Sequence, residues 1–174
     1  MERSEVLSLE HVFFIPESPE DNVLFAQLEE EGELIYVSPH LYYRDASPAS
    51  QNEALSALLP PGWGYTGLSA ANLLGASTEV PTVTEVAVPR TCSLPENVSS
   101  QVKANRYGRN LLSPIEVSVL EVLESYPRFA ECSMPELITK CRQALRSSES
   151  ARLISCTVNE PKVVRDRLIT VLSS

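Results

Sequence analysis

The segment most suggestive of a site is residues 64–81, GYTGLSAANLLGASTEVP, in which glycines frame a run of small residues. Catalysis by Ser69 would need an activating base and a G-x-S-x-G turn, but the local sequence is Gly-Leu-Ser-Ala-Ala. A phosphate-binding loop would need a Lys after the glycines or a G-x-G-x-x-G pattern, and the segment has neither. The alternative is a structural corner, because small residues permit close helix packing and glycine can end a helix. We assign that structural role to Gly64, Ser69, Ala70, Ala71, Asn72, Leu74, Gly75 and Pro81.

The other reactive side chains have no partners at useful spacings. His11 and His40 are isolated in sequence, and the four cysteines include no C-x-x-C pair. The three glutamates at 29–31 occupy successive helical positions and therefore diverge, which is typical of a solvated face. We predict no catalytic residue, no metal site and no cofactor, and we expect the cysteines to be reduced and mostly buried.

Charge is distributed unevenly along the chain. Residues 1–60 carry 12 acidic and 2 basic side chains, whereas residues 90–174 carry 12 basic and 9 acidic ones. An acidic half repels nucleic-acid phosphates, which Lys and Arg must neutralise, and it suits a basic protein partner. Acidity also maintains solubility, which is the simpler explanation. The candidate partner-binding residues are the acidic ones of the first long helix: Glu20, Asp21, Glu29, Glu30 and Glu31.

A second candidate contact surface lies in the basic half. The segment KANRYGRN, residues 103–110, is the one compact basic patch that includes an aromatic side chain. Such a patch can bind an acidic protein surface or a nucleic-acid backbone, although an ordinary solvated hairpin would have the same composition. The predicted second surface comprises Arg44, Lys103, Arg106, Tyr107 and Arg109.

Local signals predict an N-terminal unit over residues 1–46. A short helix is expected over 4–14, and Ser18 with Pro19 predicts the start of a longer one that Gly32 ends. The buried face of the longer helix is predicted to contain Val23, Leu24 and Leu28. Two short strands follow in ELIYVSPHLYYRD. Helix, glycine, strand, turn and strand is the order of the last helix and wing of a winged-helix module.

Residues 47–174 are predicted to form a small mixed sheet and then a helical tail from about residue 113. Alternating β-branched residues over 82–88 are typical of a strand, and a second strand is expected at 100–106. Ser113 followed by Pro114 predicts the start of the first tail helix. Further helices are expected at 134–146, 148–157 and 160–172. The predicted fold class is therefore α+β, with a truncated winged-helix-like N-terminal unit.

The segment GYTGLSAANLLGASTEVPTVTEVAV resembles the central signature of a bacterial family related to the type IV, abortive-infection (AbiE-type) antitoxins. The resemblance continues upstream through LEEEGELIYVSPHLYYRD and downstream through SPIEVSVLEVLESYPR, and it covers about residues 5–174. It implies an N-terminal winged helix, here abbreviated and acidic. It also implies a C-terminal domain associated with antagonising a nucleotidyltransferase-like toxin.

We therefore expect a non-enzymatic protein-binding module that inhibits or regulates a partner enzyme. Direct DNA binding through the long helix is not expected, because its carboxylates would face phosphates. Two alternatives stay open: a winged-helix transcriptional regulator using Arg44 and KANRYGRN, and a bacterial or phage accessory subunit or decoy that docks onto a nucleoprotein complex. No apolar run approaches the length of a membrane span and the first ten residues do not resemble a signal peptide, so the cytoplasm is the expected compartment.

Overall fold

The computed structural model describes residues 2–3, 6, 13–14, 16–38, 41–44, 48–94 and 97–173. The two histidines and most of the helix predicted over 4–14 lie outside these residues. The chain forms two compact units, Met1–Leu58 with Leu94–Glu96 and Leu59–Ser93 with Asn97–Ser174. This division falls later than the predicted one at residue 46, because the helix that follows that position contacts the sheet of the first unit.

The first unit combines a three-stranded antiparallel sheet with helices. Its elements are β1 (Phe13–Phe14), α1 (Pro19–Glu30), β2 (Ile35–Ser38), β3 (Leu41–Tyr43) and α2 (Pro48–Leu58). The strands lie in the order β1-β3-β2. Phe13 and Phe14 pair with Tyr43 and Tyr42, so the end of the helix predicted over 4–14 is a strand instead. Adjacent aromatic residues favour a strand, and β3 provides an edge with which they pair.

The buried face of helix α1 agrees with the prediction at Leu28 and differs from it at Val23. Phe25 and Leu28 are fully buried, whereas Val23 is 60% exposed. The core of this unit comprises Val6, Phe25, Leu28, Leu34 and Tyr42, with Leu24 packed against it. Gly32 ends the helix with φ +76°, as predicted, because glycine adopts the left-handed conformation without a steric cost.

The second unit is a mixed three-stranded sheet with helices, which confirms the α+β class. Its strands are β4 (Gly64–Tyr65), β5 (Thr84–Val88) and β6 (Val98–Val102), and its helices are α3 (Gly67–Leu73), a short 3₁₀ helix (Tyr107–Leu111), α4 (Pro114–Ser125), α5 (Met134–Ala144), α6 (Ser150–Cys156) and α7 (Lys162–Ser173). The strand order is β4-β5-β6, with β4 antiparallel and β6 parallel to β5.

Helix α4 forms the centre of this unit. It contacts β4, α3, α5 and α7, and its buried apolar residues are Val117, Val119, Leu120, Val122 and Leu123. Ser113 and Glu116 form a capping box at its start, where Pro114 occupies the first turn. Strand β4 approaches the helix closely at Gly64, where an added Cβ would lie 2.6 Å from the Cβ of Val117.

The tail helices begin close to the predicted positions. Ser133 caps α5 together with Glu136, as the sequence predicts for Ser133. Glu149 rather than Ser148 precedes α6. Within the ranges described above, every helix is too short or too polar to cross a membrane.

Candidate functional site

The five acidic residues of the predicted partner-binding helix do not form one surface. Asp21 is buried at the start of α1. Its N–H donates to Ser18 Oγ at 3.1 Å, and its Oδ2 accepts from the Glu17 N–H at 3.3 Å. These bonds satisfy backbone donors at the helix start. Asp21 is therefore buried and bonded within the start of α1, where Ser18 is the N-cap, which corrects its prediction as a partner contact.

The other four acidic residues point in different directions. Glu31 is paired with Arg3, whose Nη1 and Nη2 lie 3.0 and 2.5 Å from its two carboxylate oxygens. This hydrogen bonding and the charge of Arg3 lower the pKa of Glu31. Glu20 and Glu29 are nine residues apart, which is two and a half helical turns, so they lie on opposite sides of α1. Only Glu30 lies near the middle of the exposed face.

The exposed face of α1 carries no positive charge. The exposed residues of the helix are Pro19, Glu20, Asn22, Val23, Ala26, Gln27, Glu29 and Glu30. The whole helix, Pro19–Glu30, contains neither Lys nor Arg. Because nucleic-acid affinity depends largely on Lys and Arg neutralising phosphates, this face offers little to a DNA backbone.

The segment KANRYGRN is not a hairpin. It leaves β6, turns, and enters the 3₁₀ helix Tyr107–Leu111. Gly108 packs directly on α6, where an added Cβ would lie 1.7 Å from the carbonyl oxygen of Cys156. Only glycine permits this approach, and it anchors the segment against the helical tail.

Arg109 is the centre of a buried ion-pair cluster. Its side chain is among the largest buried ones, with 1% of the residue exposed. Nε and Nη2 donate to Glu160 Oε1 and Oε2 at 2.7 and 2.9 Å, and Nη1 donates to Glu121 Oε1 at 2.6 Å. Burial alone would lower the pKa of Arg109, but the hydrogen bonds and charges of the two glutamates outweigh it and raise that pKa. Arg109 is therefore part of the core, which corrects its prediction as a surface contact.

Lys103 and Arg106 extend this cluster towards solvent. Lys103 Nζ lies 3.1 Å from Glu124 and 3.5 Å from Glu121, and Arg106 lies 3.0 Å from Glu124 and 3.4 Å from Glu160. Both cations are half-buried. The ion-pair cluster thus consists of three cations and three carboxylates: Lys103, Arg106, Arg109, Glu121, Glu124 and Glu160. Because these charges are paired within the fold, the predicted second surface is much reduced.

The remaining members of the predicted second surface are Arg44 and Tyr107. Arg44 belongs to the first unit, where it is half-buried and its Nη2 lies 3.9 Å from Glu33. Tyr107 belongs to the second unit and is largely exposed. Tyr107 is therefore the predicted contact residue of KANRYGRN that the fold leaves most open to a partner.

A polar cavity of about 230 Å³ lies beside the ion-pair cluster. Its lining residues are Thr66, Glu85, Gln101, Lys103, Glu121, Glu124, Ser125, Arg128 and Phe129. The Thr66 hydroxyl donates to Glu121, and the Leu68 N–H donates to Glu85 Oε2 at 2.9 Å. Thr66 is buried, so its hydroxyl is a structural donor and not an open nucleophile. These polar groups of the cavity therefore form hydrogen bonds to other residues of the chain.

The stretch 64–81 is likewise bonded within the fold. Ser69 Oγ accepts from the Glu85 N–H at 2.9 Å, and Asn72 Nδ2 donates to the Glu79 carbonyl at 3.1 Å. Ala70 and Ala71 are buried, and Gly75 follows α3 with φ +64°. Leu74 is the C-cap residue of α3, and Pro81 lies in the segment that leads to β5. This arrangement joins α3 to the sheet, with Ser69 Oγ bonded to the backbone of β5.

A concave surface lies between α6 and α7. It encloses about 360 Å³ and is lined by Ile154, Thr157, Val158, Lys162, Arg165, Asp166, Leu168 and Ile169. Val158 is 62% exposed and Ile169 is 50% exposed, so large apolar side chains face solvent beside two cations. We call this surface the tail groove.

Sequence reasoning did not identify the tail groove. On the last helix Val163 is exposed, and the buried residues are Val164, Leu168 and Val171. Ile169 lies outside that buried stripe, on the same side of α7 as Lys162 and Arg165. An apolar residue on this charged side of the helix is the sequence feature that could have indicated the groove.

Comparisons with known proteins show that the fold of this chain is similar to that of a solved structure. No protein-family model and no curated protein matches the chain. Among solved structures, the crystal structure of the RV2827C protein from Mycobacterium tuberculosis is similar, with a TM-score of 0.51 and 14% sequence identity. The similarity covers 98% of this chain and 74% of that one. At this identity the likeness concerns the fold alone.

Proposed function

We propose that the chain is a non-enzymatic protein-binding module that inhibits or regulates a partner enzyme through the tail groove. The observation that carries the proposal is the juxtaposition of exposed apolar side chains on α6 and α7 in one concave surface. Contiguous exposed apolar groups with a polar rim are typical of protein interaction sites. Their contact with water is unfavourable, and a partner that covers them removes that contact. The resemblance to type IV antitoxins suggests a nucleotidyltransferase-like toxin as that enzyme.

The charges around the tail groove define the chemistry of the partner. Lys162 and Arg165 line the groove, and Asp166 is its acidic residue. A partner surface with an apolar anchor flanked by carboxylates would match both the apolar floor and the excess positive charge. An amphipathic helix with Glu or Asp beside its apolar stripe has this chemistry. The acidic residues Glu20, Glu29 and Glu30 would contribute a separate and weaker electrostatic contact.

The DNA-binding alternative has less support. The order of α1, β2 and β3 is the order expected of a winged helix, but the exposed face of α1 lacks Lys and Arg. Three of the basic residues in the second half of the chain are engaged in the ion-pair cluster. A regulator would bind duplex DNA at low salt and weaken steeply as salt rises, so retention on DNA separates the two functions.

The test starts with copurification from the native host and identification of the bound protein, whose affinity for the purified chain is then measured. Val158→Glu introduces a charge into the groove and should weaken binding at least about tenfold, as loss of an interface anchor does. Val80→Glu is the matched control, because Val80 is exposed in the same unit but outside the groove. Equal binding of both variants and the unmodified chain would contradict the proposal. Charge reversal of Glu20, Glu29 and Glu30 measures the contribution of α1 separately.

A further inference from the structure

Strand β6 forms an open edge of the mixed sheet. The sheet order is β4-β5-β6, and β6 pairs with β5 in parallel along its whole length, from Thr84 opposite Val98 to Val88 opposite Val102. Among the residues that the structure describes, no strand lies on the other side of β6. Its outer backbone groups are therefore available for pairing.

The hydrogen bonds at the two ends of the ladder show which backbone groups point outwards. The Thr84 N–H donates to the Asn97 carbonyl, and the Lys103 N–H donates to the Val88 carbonyl, both at 2.8 Å. In a parallel pair, alternate residues of a strand bond the neighbouring strand. The odd-numbered residues of β6 thus bond β5. Val98, Ser100 and Val102 direct their N–H and C=O groups to the open edge.

The edge also lacks the usual features that prevent pairing. Natural edge strands carry Lys, Pro or bulges that discourage another strand from adding to them. Residues 97–102, NVSSQV, contain neither a charge nor a proline. The nearest cation, Lys103, is held by Glu124 and Glu121 at 3.1 and 3.5 Å, so it does not guard the edge.

We propose that β6 is a self-association surface, at which two copies of this chain pair antiparallel around a twofold axis centred on Ser100. The sequence Val98-Ser-Ser-Gln-Val102 is nearly symmetrical about its centre. In this register Val98 lies opposite Val102 of the other copy, and Ser100 lies opposite its own counterpart. The two β-branched residues form a favourable cross-strand pair, and no like charges oppose each other.

The outward backbone groups select this register. Each opposed pair involves residues whose N–H and C=O groups both face the edge, so each pair can exchange both hydrogen bonds. If the register were shifted by one residue, each residue with outward backbone groups would lie opposite a residue whose backbone groups already bond β5. A shift of two would leave one of the three outward residues without a counterpart. The same patch then serves both copies, as a twofold interface requires, and a continuous six-stranded sheet results.

The experiment is sedimentation of the full chain across micromolar to millimolar concentrations, with hydrogen exchange of the backbone amides measured by NMR. We expect a dimer whose Ser100 and Val102 amides become protected as concentration rises. Ser100→Pro removes an outward N–H while sparing the ladder to β5, and should halve the sedimenting mass. Ser99→Ala, which changes a side chain but no outward backbone group, should leave the dimer intact.

The proposal would be overturned by a monomer throughout the concentration range, by a dimer that survives Ser100→Pro, or by a dimer in which the Ser100 amide exchanges freely. If Ser100→Pro does not fold, Val102→Lys replaces it, because a lysine there faces Val98 of the other copy and should also dissociate the dimer. Capture of a strand from a different protein by a monomeric chain would assign the edge to another occupant and likewise overturn self-pairing. The outcome is independent of the tail groove, since Val158→Glu does not alter β6.

Discussion

Arg109 and Glu160, 51 residues apart in sequence, form a two-point hydrogen bond between buried side chains, with Nε and Nη2 at 2.7 and 2.9 Å from the two carboxylate oxygens. The planar guanidinium matches a carboxylate in this geometry, and each partner satisfies the charge of the other away from water. The pair joins the 3₁₀ helix to the residues just before α7. The pair therefore ties the segment that follows β6 to the helical tail, so the stability of each depends on the other.

Removing one partner of this pair should destabilise the chain strongly. Arg109→Ala leaves Glu160 and Glu121 buried without their main cation, and a broken buried ion pair costs about 3–5 kcal/mol. Urea unfolding of the variant should show a correspondingly lower midpoint. Arg109→Lys should be destabilising as well, because an ammonium cannot make the two-point contact.

Arg142→Ala is the control for this prediction. Arg142 is exposed on α5, and exposed substitutions usually change stability by about 0.5 kcal/mol or less. If Arg109→Ala and Arg142→Ala unfold at the same urea concentration, the buried pair does not hold the tail in place.

Features encoded by neighbouring residues could be predicted from the sequence. Ser18 with Pro19 and Ser113 with Pro114 begin helices, and Gly32 ends one, because capping bonds and left-handed backbone involve residues only a few positions apart. The strand and helix content, and hence the α+β class, follows from the same local signals.

Features that depend on distant residues could not be predicted in this way. The sequence shows Arg109 as a cation in a basic patch, and nothing local indicates that Glu160 lies against it. Likewise, the spacing of α1 allowed either Val23 or Phe25 to be buried, and the position of the sheet decides for Phe25. The tail groove was missed for the same reason, since its two sides come from separate helices.

Gly64→Ala should destabilise the chain more than Gly75→Asn does, although the alanine adds only a methyl group. A Cβ at Gly64 would lie 2.6 Å from Val117 Cβ, so Gly64→Ala should cost about 1–3 kcal/mol by overpacking. At Gly75 the nearest atom would be Lys140 Nζ at 3.6 Å, and Asn tolerates the left-handed φ of +64°. Thermal unfolding of both variants makes the comparison. A less stable Gly75→Asn would contradict the close approach of β4 and α4.

The stability contributed by Glu116 should be lost in acid. Burial opposes its ionisation, but hydrogen bonds from Ser113, Ser148 and Arg152 outweigh that effect and hold its pKa below the ordinary value of 4.5. A carboxyl with a depressed pKa in the folded state stabilises fully above its unfolded pKa, and it loses that contribution as pH falls through the folded value. The affected range is therefore below about pH 5.

Glu116→Gln provides the measurement of this effect. The amide cannot ionise, so the variant should unfold more easily than the unmodified chain at pH 7, by about 1.5–3 kcal/mol as for other hydrogen bonds to charged groups. The difference should shrink as urea unfolding is repeated from pH 5 to pH 3. Glu79→Gln, at an exposed position, serves as the control. A difference between Glu116→Gln and the unmodified chain that is the same at pH 7 and pH 3 would rule out an ionised, hydrogen-bonded Glu116.

Cys141 should resist alkylation in the folded chain. Burial in α5, with Cys132 nearby, raises the pKa of its thiol to about 12, whereas Cys132 is half-buried in the preceding loop. Because only the thiolate reacts, the reactive fraction of Cys141 at pH 8 should be lower than that of an ordinary thiol by about three orders of magnitude. Iodoacetamide labelling followed by peptide mass mapping should therefore modify Cys132 well before Cys141, and in urea the two should react at similar rates. Equal labelling of both cysteines in the folded chain would show that α5 does not bury the face that carries Leu137 and Cys141.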